Sequence, residues 1–206
     1  MKNFLKDEYC EANGIPELIP VLQSWITAQR DYVKAVVDDH PWNYGERSSV
    51  GFLAAGVWRS GGVALEEWQT EKGSKAKCRQ GRCDLWVFRP QQYDFHIEAK
   101  YMRSRATGKP VKERTYIERA LLNATTDAQA LTCPRKNQLG ILFVAPFYPT
   151  GKHEGMHEHI TMWLKDIYAI PHSAIAWIIN RKGLRPSPGN VCPGLVLIAR
   201  AALPRK

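Results

Sequence analysis

The residues most suited to chemistry lie in the stretch "YDFHIEAKYM", residues 93–102. It has the branched and aromatic content of a β-strand. Strand side chains alternate between faces, so Asp94, His96, Glu98 and Lys100 share one face, and Phe95, Ile97 and Ala99 share the other. Asp84 opens the preceding strand-like run, "DLWVF". If the intervening "RPQQ" turn sets Phe88 opposite Asp94, then Asp84 falls opposite Glu98, with Cβ atoms about 4.5–5.5 Å apart. Two facing carboxylates repel unless a cation lies between them. Mg²⁺ is suited to such a pair, because it takes oxygen ligands and needs only one or two carboxylates beside water and phosphate. Mn²⁺ is a substitute with the same taste for oxygen. Lys100, on the same face, would stabilise a phosphate or orient the attacking water. The chemistry expected is metal-assisted phosphodiester hydrolysis, with a bound ion generating hydroxide and stabilising charge on the phosphate. A one-residue slip in register would send Asp84 to the wrong face.

The charge around these residues fits a polyanionic partner. The chain of 206 residues carries a formal charge of +9, which favours nucleic acid. "KGSKAKCRQGR" leads into Asp84 and brings Lys75, Lys77 and Arg79; Arg103, Arg105 and Lys109 follow Lys100. These six are the candidate phosphate contacts. His96 is a candidate structural or substrate contact.

A second motif competes. "HEGMHEH" at 153–159 contains HExxH, in which two histidines one helical turn apart bind zinc and the glutamate works on water. The pattern here begins just after "PTGK" and includes Gly155. His153 and His157 also continue an apolar stripe through Ile160 and Trp163, which suggests capping or partial burial. A zinc metallopeptidase with His153, Glu154 and His157 stays open as an alternative, as does a nucleic-acid-binding protein that does not cleave.

The elements that must position these residues follow from periodicity. A first helix is expected through "IPELIPVLQSWITAQRDYVKAVVDD", with Leu18, Leu22, Trp25, Ile26, Val33, Val36 and Val37 inward. "HPWNYG" breaks the chain. A second helix, "ERSSVGFLAAGVWR", is stopped by Gly61-Gly62. Three strands follow, "VALEEWQTEK", "CDLWVF" and "YDFHIEAKYM", joined closely enough to form an antiparallel meander. A helix over Val111–Leu131, a strand "LGILFVAPF" apolar on both faces, a helix "HEHITMWLKDIYAI", and strands "SAIAWIIN" and "GLVLIARAA" complete the chain.

The set Asp84, turn, Glu98-Ala99-Lys100, following a helix and a strand, resembles the PD-(D/E)xK nuclease superfamily. The resemblance implies a restriction-endonuclease-like αβββαβ core over about 46–145, within a single α/β domain of residues 1–206 whose mixed sheet is flanked by helices. The N-terminal helical extension (1–40) and the C-terminal helix and two strands (153–203) would be additions. It implies a Mg²⁺-dependent deoxyribonuclease acting on DNA, with Asp84 and Glu98 as metal ligands and Lys100 as the catalytic lysine. Glu46 stands where members often carry an extra acid on the first core helix, with Glu66 and Glu67 on the following strand as rivals for that third acid. Cys83 occupies the place of the family's proline. A homodimer would suit cutting of two strands. No apolar run reaches the roughly eighteen residues of a membrane span, the start lacks a secretory h-region, and five cysteines without framework spacing read as reduced thiols. A cytoplasmic location is expected.

Overall fold

The computed structural model describes residues 2–73, 79–107, 110–132, 137–149, 155–181 and 190–202. In chain order the elements are β1 (Glu8–Glu11), α1 (Ile19–Ala35), α2 (Glu46–Arg59), β2 (Val63–Lys72), β3 (Arg79–Arg89), β4 (Tyr93–Arg105), α3 (Pro110–Gln129), β5 (Gln138–Pro149), α4 (Met156–Tyr168), β6 (Ala174–Ile179), β7 (Asn190–Val191) and β8 (Gly194–Ala201). The chain is an α/β protein built on one mixed sheet of order β1-β6-β8-β5-β4-β3-β2, with β7 paired to the end of β5. The β4–β5 pair is parallel and the other pairs are antiparallel. A parallel pair needs a crossover, which α3 supplies.

Period-two alternation sorts the sheet into two cores. Leu139, Ile141, Phe143, Leu195, Leu197 and Ile97 pack with Trp25, Leu53 and Val57 of α1 and α2. Leu142, Val144, Ile175, Trp177, Val196 and Ile198 pack with Ile117, Leu121, Trp163 and Leu164 of α3 and α4. Helices therefore cover both faces of the central strands. This explains why β5, β6 and β8 read as continuous apolar runs.

The expected elements between 46 and 149 occur in the expected order. Four expectations need correction. β1 is an added strand; its "EYCE" sequence lacks an apolar alternation, and pairing with β6 makes it a strand. α1 stops at Ala35 because Val36 turns extended, which leaves Val37 80% exposed outside the stripe. β3 and β4 run beyond the expected 83–88 and 93–102. His157 is exposed rather than part of the apolar stripe, which begins at Ile160. The last difference has a local cause: Gly155, left-handed at φ 69°, starts α4 so late that His157 lies in its first, solvent-facing turn. Among the described residues, no helix is long and apolar enough to cross a membrane.

Candidate functional site

The site is built where the sheet opens. The β3–β4 ladder runs from Arg89↔Tyr93 through Phe88↔Asp94, the pairing expected from the turn, to Leu85↔Ile97, and goes no further. The next rung would join Asp84 to Glu98. Beyond it β3 stays with β2, while β4 stays with β5. The sheet thus forks, with Asp84 and Glu98 at the crotch. β2 contributes a third acid to this rung. Its ladder pairs Glu66 with Leu85 and Trp68 with Cys83, but the Glu67–Asp84 rung between them is missing. Glu67 is left-handed at φ 53°, a conformation that costs a non-glycine residue on the order of 1 kcal/mol.

An opened strand edge leaves backbone groups that need partners. Here side chains supply them. The Ala99 N–H donates to Asp84 Oδ2 at 2.7 Å. The Tyr101 N–H, two residues on along the same edge, lies near the Glu46 carboxyl and favours its ionised form. The Cys83 thiol donates to the Ile97 carbonyl at 3.3 Å. The carboxylate of Asp84 is therefore fixed by the edge that the fork exposes, Glu46 stands near that edge, and Cys83 seals its inner end.

Glu98 is 2% exposed. Burial pushes its carboxyl up to about 7; the Lys72 hydrogen bond opposes this and the nearby Asp84 charge adds to it. The Lys72 ammonium donates to Glu98 Oε2 at 2.8 Å. It also lies 2.7 Å from Oε1, which receives no well-angled hydrogen bond. The Lys100 ammonium pairs with Asp127 of α3 at 2.9 Å. Burial is the largest single influence and disfavours that ammonium, but the Asp127 bond together with the charges of Asp127, Asp84 and Glu46 holds it above its ordinary value. Glu46 is raised, first by burial and then by Asp84, with Lys100 opposing. α3 can approach this closely because of Gly140, the neighbour of Glu98 on β5. A Cβ there would stand 2.3 Å from the Thr125 nitrogen.

A small cleft of about 30 Å³ lies among Glu46, Arg47, Val50, Glu66, Glu67 and Asp84, enough for one or two water-sized species. Glu98 turns away from it toward Lys72. Among the described residues no group of three or more His, Cys, Asp or Glu side chains is arranged to hold a metal ion. What the fork offers is a pair, Asp84 and Glu98, with Glu46 and Glu67 beside Asp84. The crowding of negative charge fits an oxygen-seeking divalent ion, for which one or two carboxylates suffice.

Of the expected phosphate contacts, Arg79 lies exposed on the β3 arm, and Arg103 and Arg105 lie exposed on the β4 arm. Arg103 reaches the Asn43 carbonyl at 3.4 Å, and Arg105 stacks over Phe147 at 5.8 Å. Lys75, Lys77 and Lys109 lie outside the described residues, as do His153 and Glu154. His96 is buried, with its ring 5.5 Å from Trp68. In the sequence Lys72 is merely the start of a basic run; its proximity to Glu98 depends on the curl of β2, which no local pattern shows. Cys10, Cys83 and Cys192 are free thiols.

No family model, curated protein or solved structure matches the chain.

Proposed function

We propose that the chain is a divalent-metal-dependent nuclease acting on DNA, with a restriction-endonuclease-like core and its active site at the sheet fork. The observation that carries this reading is the opening of the sheet at the Glu67–Asp84–Glu98 rung, which sets carboxylates at the crotch and arginines on both arms. The acids suit a hard cation, and the arms suit phosphates. Asp84 and Glu98 would hold Mg²⁺, which would supply Lewis acidity and an ionised water. Asp84 is oriented for this by the Ala99 N–H. Glu46, its carboxyl raised by burial and by Asp84, is placed to accept a proton from water. Lys100, kept charged by Asp127, contributes positive potential at the phosphate. Arg79, Arg103 and Arg105 anchor the flanking backbone.

The zinc-peptidase alternative has less support. His157 lies exposed in the first turn of α4. Plasmid nicking in Mg²⁺ by wild type, Asp84→Asn, Lys100→Met and His157→Ala separates the readings. The nuclease reading expects the first two variants to lose cleavage and the third to keep it. Full nicking by folded Asp84→Asn protein, or zinc-dependent peptide hydrolysis lost in His157→Ala, overturns it. DNA binding without cleavage by wild type would favour a binding protein on this fold.

A further inference from the structure

Lys72 is held in place by more than its ion pair. It ends β2, and the chain there is tied to the end of α3: Lys72 bridges Leu131, the Gly73 N–H donates to the Ala130 carbonyl at 2.8 Å, and the Thr132 N–H donates to the Glu71 carbonyl at 2.8 Å. Its stem lies across β3 over Gly81. A Cβ on Gly81 would stand 2.9 Å from Lys72 Cγ and Cδ, so a side chain there would push the lysine stem off this path. Gly81 has no positive φ to explain its presence. The ammonium at the end of this track sits on a carboxylate whose side chain is 3% exposed, while its own side chain is 20% exposed. A charge so placed is a structural counter-ion, not a surface lysine.

We propose that Lys72 is a resident counter-cation that occupies the divalent ion's place on Glu98, so that ion binding and the Lys72–Glu98 pair exclude each other. The inference rests on the nuclease reading of the fork. Without metal, the ammonium neutralises Glu98 and limits its repulsion with Asp84. When a divalent ion binds, one cation replaces the other. The lysine is then released at the mouth of the fork, on the arm that also carries Arg79 and Arg82, while Lys100 keeps Asp127. Lys72, rather than Lys100, is thus the lysine whose partner changes when the site is loaded.

The test is calorimetric titration of Mg²⁺ and of Ca²⁺ into the whole chain at pH 8.5, with melting temperatures measured with and without each ion. Lys72→Met keeps the stem and removes the charge. Gly81→Ala keeps the lysine and obstructs its track. Lys72→Met is expected to bind both ions at least tenfold more tightly, melt lower than wild type without metal, and gain more from added metal. Gly81→Ala is expected to shift the same way by less. Unchanged or weaker binding by folded Lys72→Met overturns the inference; if that variant does not fold, unchanged affinity in Gly81→Ala does so. Asp84→Ala separates this failure from failure of the nuclease reading. Wild-type binding that is lost in Asp84→Ala but unaltered in Lys72→Met removes only the counter-cation role. Absence of ion binding in wild type and Lys72→Met removes both.

Discussion

Asp84 Oδ2 accepts the Ala99 backbone N–H at 2.7 Å, so a carboxylate takes up a strand-edge donor at the place where the β3–β4 ladder stops. One residue therefore has two separable jobs: it satisfies the opened edge, and it supplies charge. Asparagine can do the first and not the second. Asp84→Asn is expected to stay within about 1 kcal/mol of wild type while losing cleavage by about a hundredfold or more. Asp84→Ala also strands the Ala99 N–H and should cost about 1–3 kcal/mol in addition. Urea unfolding beside plasmid nicking reads both. Equal stabilities for the two variants would show that the N–H bond does not matter.

Glu98 makes the metal-free protein sensitive to pH. Its carboxyl is raised from 4.5 to about 7, so between those values the folded state keeps a proton that the unfolded state has lost. Stability from this group is therefore highest below about 4.5, and declines as pH rises through about 7, by about 3 kcal/mol in all. Glu98→Gln should lack that decline. Chemical denaturation of both proteins without metal from pH 4.5 to 8 should give curves that diverge toward high pH; parallel curves would count against a buried, ionising Glu98.

Gly140 sets the distance between α3 and the sheet. A methyl group there meets Thr125 backbone, not a movable side chain. Gly140→Ala is expected to destabilise the fold by about 2 kcal/mol or more and to weaken the Lys100–Asp127 pair by shifting α3. Thermal melting checks the first effect. Asp127→Ala serves as control, since removing a half-exposed pair costs about 1 kcal/mol or less.

The arms of the fork should reveal themselves through salt. Replacing Lys75, Lys77, Arg103 and Arg105 together by alanine is expected to lower the slope of log affinity against log salt. On duplex DNA the slope falls by about 0.9 for each phosphate that these side chains no longer neutralise. Binding is measured in Ca²⁺ with Asp84→Asn as background. An unaltered slope would place the phosphates elsewhere.

The sequence disclosed the parts whose cause is local. The Phe88↔Asp94 pairing follows from a short turn between two alternating strands, whereas the expected Asp84–Glu98 rung does not form and Asp84 instead takes the Ala99 N–H beside Glu98. The stripe Ile117, Leu121, Ala124, Ala128, Leu131 is buried throughout. Hidden were features made by distant chain segments. Alternation gives no hint that the ladder stops at Leu85, that Glu67 turns left-handed, or that Glu46 comes near Asp84 and the Tyr101 N–H. The role of Lys72 needs the end of β2 to be tied to Leu131, just past α3, a bridge between segments far apart in the chain. β1 is illegible because a four-residue edge strand gets its pairing from β6, not from its own residues.

The position of β8 has a consequence for the order of events during synthesis. It is the last strand in the chain among the described residues, yet it lies between β6 and β5. Until it emerges, β5 has one bare edge and β6 has no neighbour on its inner side. At translation rates of about 5–20 residues per second, the acids of the fork leave the ribosome seconds before the strand that completes the sheet. A nascent chain in that interval carries Asp84 and Glu98 without the finished sheet that positions them.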